Sequence, residues 1–169
     1  KKIDFANLQH QYQLYKKEID ANIQKVLDNS NYIMGEEVQR LERELEQFTQ
    51  AQHAIPCSSG TDALLLALMA IDIQPDDEVI TTSFSFIATA ETIALMKAKP
   101  IFVDIEESTF NIDASKIEEA ITSKTKAVMP VSLYGQPADL DEVFSPLNRS
   151  VVMVMGARFS PIMMNTKKK

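Results

Sequence analysis

Glycine is scarce in this chain, cysteine and histidine are scarcer still, and no apolar run is long. The four glycines, Gly35, Gly60, Gly135 and Gly156, never cluster. A Walker A loop needs a Gly-Lys-Ser/Thr ending and a dinucleotide fingerprint needs three closely spaced glycines, so neither kind of nucleotide site is expected. The single cysteine, Cys57, excludes an internal disulfide framework and suits a reducing compartment. No histidine lies near it, and it reads as a small buried side chain. His10 and His53 stand alone, with no cysteine or carboxylate at ligand spacing, so no metal site is expected. The apolar stretches are too short to cross a bilayer. The opening residues, Lys-Lys-Ile-Asp-Phe, carry no apolar core of the signal-peptide kind. Basic residues are also outnumbered, 17 Lys and Arg against 24 Asp and Glu, for a net charge of −7. No local Lys/Arg stripe offsets that balance, which argues against a nucleic-acid partner. The expectation is a soluble cytoplasmic protein without a membrane segment.

What remains is an ordinary globular mix, 45% hydrophobic and 24% charged over 169 residues, enough for one core or a large part of a bigger domain. Leu8, Tyr12, Tyr15, Ile19, Ile23, Val26 and Leu27 fall near helical spacing, and Asn29-Ser30-Asn31 closes that helix. Gly35 opens a second helix, with Val38, Leu41, Leu45 and Phe48 on one face. A brief strand is predicted at His53–Pro56, then a helix through Leu64, Leu65, Leu68 and Met69. Strands follow at Glu78–Thr82, Lys99–Asp104, Lys126–Val131 and Val151–Met155. Helical stretches near Ala88–Met96, Ala114–Ile121 and Ala138–Phe144 separate them. Strands alternating with helices imply crossover connections, hence an α/β fold with a mainly parallel sheet and helices on both faces.

Two segments carry candidate chemistry. Pro56–Ala63 reads Pro-Cys-Ser-Ser-Gly-Thr-Asp-Ala and feeds a helix whose first amides have no intrahelical partner. Such a turn can hold an anion, a phosphate above all, or it can simply cap the helix through Ser and Asp. Thr81-Thr82-Ser83-Phe84-Ser85-Phe86 lies just past a strand, where open parallel sheets bind ligands. An aromatic there can lie flat on a planar ligand; alternatively Phe84 and Phe86 fill a strand-to-helix corner of the core. Asp76-Asp77-Glu78 reads as a solvated turn, and Asp139 and Asp141 as helix caps.

Six segments in order resemble the DegT/DnrJ/StrS sugar aminotransferases. They are Ile33-Met34-Gly35-Glu36-Glu37-Val38 with Leu41-Glu42, Ser58–Leu64, Pro75–Ile80, Ser83–Thr89, Pro100–Ile105 and Leu133–Asp141. The resemblance implies the large domain of a fold type I pyridoxal phosphate (PLP) enzyme, present in part. Residues 1–144 would be the aminotransferase portion and 145–169 a divergent or frame-shifted tail. It further implies amino transfer, from a donor such as glutamate, to a keto sugar carried on a nucleoside diphosphate, in surface polysaccharide or amino-sugar synthesis by a homodimer. Carried across by position, Gly60 and Thr61 would meet the cofactor phosphate, and Phe86 would stack on its ring. Gly35 and its neighbours would belong to a loop near the substrate side.

The same resemblance calls for a carboxylate on the pyridinium nitrogen and for the aldimine lysine. Met155 falls at the carboxylate's position and Arg158 at that of the glutamine after it, while Lys167–Lys169 lack the lysine's sequence context. No catalytic residue is therefore assigned. A change of coding frame near Phe144–Ser150 accounts for the break: one base earlier, Ile162–Lys167 permits Tyr-Asp-Glu-His-Lys and Val154–Gly156 permits Asp-Gly. Divergence, or a foreign tail on a cut chain, is the alternative. The competing function is a non-catalytic remnant that binds a phosphate-bearing ligand or pairs with a full-length homologue. On these grounds the 169-residue chain alone is expected not to transaminate. Glutamate-dependent amination of nucleoside-diphosphate keto sugars, read against a PLP-only blank, measures this.

Overall fold

A computed structural model describes residues 6–145, 147 and 152–153. The chain divides between Pro56 and Cys57 into two compact units. The first holds two helices, α1 (Leu8–Asn29) and α2 (Glu36–Thr49). The Asn7 side chain caps α1 by accepting from the His10 amide at 2.9 Å, and Ser30 ends it in the left-handed region at φ 52°. Gly35 is the N-cap of α2 and is buried; a Cβ there would lie 2.7 Å from the Asn31 carbonyl oxygen, so only glycine fits without a backbone shift. Lys25 of α1 pairs with Glu37 at 3.0 Å and Glu36 at 3.6 Å, tying the two helices together at the turn. The strand predicted at His53–Pro56 does not form. Those residues join no ladder among the described ones; Ala54 instead donates its amide to the Glu46 carboxylate at 3.1 Å, and Ile55 is left exposed.

The second unit is an α/β layer structure. Its elements are α3 (Gly60–Ala70), β1 (Glu78–Thr82), α4 (Ala88–Leu95), β2 (Lys99–Val103), a 3-10 turn (Ala114–Lys116) running into α5 (Ile117–Ala120), β3 (Thr125–Val128), α6 (Leu140–Phe144) and β4 (Val152–Met153). The strands lie in the order β2-β1-β3-β4, and every pairing is parallel. Val79 and Ile80 of β1 register with Ala127 and Val128 of β3, and successive residues face opposite sides of the sheet. Val79, Ala127 and Met129 pack with Leu64, Leu68 and Ile93 of α3 and α4. Ile80, Val103 and Val128 pack with Ile117 and Val143 of α5 and α6. Helices therefore cover both faces, as the alternating pattern predicts. Among the described residues no helix is long and apolar enough to cross a membrane.

Loops at the N-terminal edge of the sheet are short and bonded to one another. The Asp76 amide donates to the Lys97 carbonyl at 3.0 Å, the Lys99 amide to Asp77 at 2.8 Å and the Glu78 amide to Lys124 at 2.9 Å. Asp76, read as part of a solvated turn, also pairs with Lys99 at 2.9 Å. Because α3 and α4 both end at this edge before entering β1 and β2, their N-termini lie at the other one.

Within α3, Leu68 is fully buried and Leu66 is 49% exposed, so one helix offers a matched pair of tests. Leu68→Ala is expected to cost about 2–5 kcal/mol by loss of burial and opening of a cavity. Leu66→Ala is expected to stay within about 1 kcal/mol. Urea unfolding followed by circular dichroism compares the two.

Candidate functional site

The sequence of strands fixes where a ligand can sit. From β1 the chain runs to β2 on one side, then crosses back so that β3 lies against the other side of β1. The chain leaving β1 enters α4 on one face, and the chain leaving β3 leads to α6 on the opposite face. Open parallel sheets bind ligands at such a switch point, beyond the carboxyl ends of the diverging strands. Phe86 follows β1 at this edge, and the N-terminus of α3 rises to the same edge.

At the start of α3 the sequence allows capping and anion binding together. Ser59 is the N-cap in an extended conformation (φ −156°, ψ 164°), and its Oγ accepts from the Asp62 amide at 3.1 Å. Asp62 answers with its carboxylate, accepting from Ser59 Oγ at 2.9 Å and from Ser58 Oγ. The Ala63 amide donates to the Ser59 carbonyl at 3.0 Å. Two of the first four amides are thus satisfied, and those of Gly60 and Thr61 are left without an intrahelical acceptor. Gly60 is exposed, and a Cβ on it would meet nothing within 4 Å, so the space beside it is open; Thr61 is half-buried. Cys57 is exposed, not buried as its sequence context suggested; its thiol donates to the Ser59 carbonyl at 3.3 Å.

The turn after β1 is held by hydroxyls. Thr81 and Thr82 are buried, with Thr81 Oγ1 donating to the Met129 carbonyl at 2.8 Å. Phe84 packs against Phe110, ring centroids 5.7 Å apart, and keeps part of its surface exposed. Phe86 is 63% exposed, so it does not fill the core corner that a bland reading of the segment would give it. An open depression of about 280 Å³ adjoins the ring, lined by Thr82, Ser85, Phe86, Thr89 and Phe102 among others. Phe102 was legible only as a strand residue; its alternation with Ile101 and Val103 is the signal that puts it on the α4 face. A larger depression of about 420 Å³ carries Glu106, Asp139 and Glu142. The smaller one, which adjoins Phe86, is the candidate. Asp139 there caps α6, accepting from the Asp141 and Glu142 amides at 3.1 Å, as predicted.

Comparison with known proteins identifies the family. A family model described as the DegT/DnrJ/EryC1/StrS aminotransferase family matches residues 13–155. The chain belongs to this family. It is 50% identical over 141 residues, 83% of its length, to UDP-2-acetamido-2-deoxy-3-oxo-D-glucuronate aminotransferase of Pseudomonas aeruginosa, and covers 39% of that protein. It is 39% identical over 140 residues to dTDP-3-amino-3,4,6-trideoxy-alpha-D-glucose transaminase of Streptomyces venezuelae, covering 83% of this chain and 37% of that one. The crystal structure of S. venezuelae DesV in complex with a ketimine intermediate superimposes with a TM-score of 0.88 at 36% identity, over 91% of this chain and 42% of that one. The structure of NtdA from Bacillus subtilis, with bound cofactor PMP, gives a TM-score of 0.79 at 34% identity, over 83% and 34% of the two chains. The chain therefore spans about two fifths of the length of these relatives. Like theirs, its fold is that of PLP-dependent aminotransferases.

In this family member the Asp62 carboxyl is held below the usual carboxylate range, first by the Ser58 hydroxyl and then by that of Ser59, with slight burial opposing. A folded-state pKa below the unfolded one stabilises the fold fully above the unfolded value, and that contribution fades as pH falls through the folded one. Ser58→Ala is expected to raise the Asp62 pKa more than Ser59→Ala does, whereas Ser59→Ala alone removes the cap and costs about 1 kcal/mol. Carboxyl NMR titrations and urea unfolding of the two variants check the order; an unmoved Asp62 would contradict it.

Proposed function

We propose that residues 1–144 are the aminotransferase portion of a PLP-dependent enzyme that acts on a nucleotide-linked keto sugar. The observation that carries the proposal is the pair of amides at Gly60 and Thr61 without an intrahelical acceptor, set at the same sheet edge as the exposed ring of Phe86. Two adjacent N–H groups at the positive end of a helix suit a phosphate dianion. A phenyl ring free on one face suits the flat pyridine. The residues present thus fit the phosphate and the ring of the cofactor. When bound, PLP supplies the electron sink that amino transfer requires.

This chain's own residues contribute binding and orientation. Gly60 and Thr61 fix the phosphate, Phe86 sets the plane of the ring, and the Ser58–Asp62 network keeps the first turn of α3 rigid beneath the anion. The positions of Met155, Arg158 and Lys167–Lys169, to which the family resemblance directs the remaining chemistry, lie outside the described residues. The relatives' names support the substrate class, since they specify UDP-, dTDP- and GDP-linked amino sugars. Glutamate as donor, a role in polysaccharide or amino-sugar synthesis, and a cytoplasmic homodimer complete the proposal. Exposed Ile33, Phe48 and Tyr134, each more than 80% accessible, are consistent with surfaces that meet another chain.

Pyridoxamine phosphate tests the site cleanly, because it has no aldehyde to react with surface lysines. Gly60→Pro deletes one amide at a helix position that tolerates proline, after an extended Ser59 that accommodates it. It is expected to weaken binding about tenfold, the value of one hydrogen bond to a charged group, while helix content stays unchanged. Equal affinity in fluorescence titrations of the wild type and Gly60→Pro would refute the phosphate assignment.

A further inference from the structure

We infer that the Ser85–Thr89 hydroxyl pair is a positioning device that aims the Phe86 ring at the ligand; this rests on the site proposed above. Phe86 is 63% exposed, so packing does not fix its direction, and the backbone beneath it must. Helix α4 starts just after it with Ile87 at the N-cap, a residue whose side chain makes no cap hydrogen bond. The usual restraint on the first turn is therefore missing. In its place, Ser85 and Thr89 hydroxyls lie 2.6 Å apart across the residue that carries the ring. Ser85 Oγ also donates to the Phe86 carbonyl at 3.3 Å, and the Thr89 amide donates to the same carbonyl at 3.0 Å.

Each hydroxyl has one proton, so both contacts can be made at once in only one direction. With the Ser85 proton on the Phe86 carbonyl, Thr89 Oγ1 donates to Ser85 Oγ. Thr89 is 5% exposed, and its own carbonyl accepts from Thr92 Oγ1 at 3.2 Å, so it is the anchored end. Force is thus transmitted from the buried start of α4 through Ser85 to the Phe86 peptide. Ser85 and Thr89 also line the depression beside the ring, so a loosened pair would let the ring fall into space meant for ligand.

The test compares Thr89→Val, which keeps the shape and loses the hydroxyl, with Thr89→Ser, which keeps the hydroxyl; Ser85→Ala serves if Thr89→Val does not fold. Two readouts are used on the full 169-residue chain. In the absence of ligand, fluorine NMR of chains carrying para-fluorophenylalanine reports the Phe86 ring, assigned through Phe86→Leu. Thr89→Val is expected to shift or broaden that signal and Thr89→Ser to leave it in place. In titrations, Thr89→Val is expected to weaken pyridoxamine phosphate about fivefold. The same variant should leave inorganic phosphate binding unchanged and have no further effect in a Phe86→Ala background. An unmoved Phe86 signal, an equal loss for inorganic phosphate, or a full loss retained without the Phe86 ring would each overturn the inference. If the wild type binds no pyridoxamine phosphate while Thr89→Val still moves the Phe86 signal, the positioning role stands and the cofactor reading falls.

Discussion

Strand β1 is buried on both faces and paired on both edges, and the arrangement of the second unit depends on that double burial. Val79 and Ile80 have no exposed surface, yet they belong to two different hydrophobic clusters, one on each side of the sheet. A strand in this position must be covered twice, which forces helices onto both faces and crossover connections between parallel strands. The polar end of the same strand, Thr81 and Thr82, is buried as well, and the Thr81 hydroxyl finds its acceptor on Met129 just past the neighbouring strand. That bond joins the ends of the two strands whose diverging chains create the ligand crevice.

The two edges of the sheet have been given different tasks. At the N-terminal edge, backbone groups of Asp76, Asp77, Lys97, Lys99 and Lys124 bond across loops and leave little freedom. At the carboxyl edge the connections carry aromatic rings at Phe84, Phe86 and Phe110 and leave open depressions. Rigidity on one side lets the other side present amides and rings in fixed places. The depression on the α6 side carries Glu106, Asp139 and Glu142, and the one beside Phe86 is lined by hydroxyls and rings.

Capping at α3 leaves part of the helix start unused. A helix start has four amides to satisfy, and the Ser59–Asp62 exchange serves one of them while Ser59's carbonyl receives another. The amides of Gly60 and Thr61 remain without a helical partner, because no turn precedes them to supply carbonyls. Asp62 lies in the same turn, and the hydroxyls of Ser58 and Ser59 both donate to its carboxylate. The motif therefore uses its side chains for its own cap and leaves two backbone amides without a helical partner.

The alternating strand and helix periods in residues 78–131 carried the parallel sheet, because residues alternating between two apolar faces have one stable solution. The Ser-Ser-Gly-Thr-Asp run carried the helix start, since its side chains act on amides three residues away. Family membership was legible from six short segments in order. Sequence alone could not decide whether Phe86 was core or surface, since a phenylalanine after a strand is suited to both; the path of the chain into α4 decided it. Nor could it show that His53–Pro56 lacks a ladder partner, or that Cys57 is exposed, because pairing and burial depend on distant residues. The hydroxyl chain from Thr89 through Ser85 was equally hidden: serine and threonine are unremarkable at those spacings until the turn brings their oxygens to 2.6 Å. Local chemistry was written in the sequence, while the shared edge of α3 and β1 exists only once the sheet has closed over both of its faces.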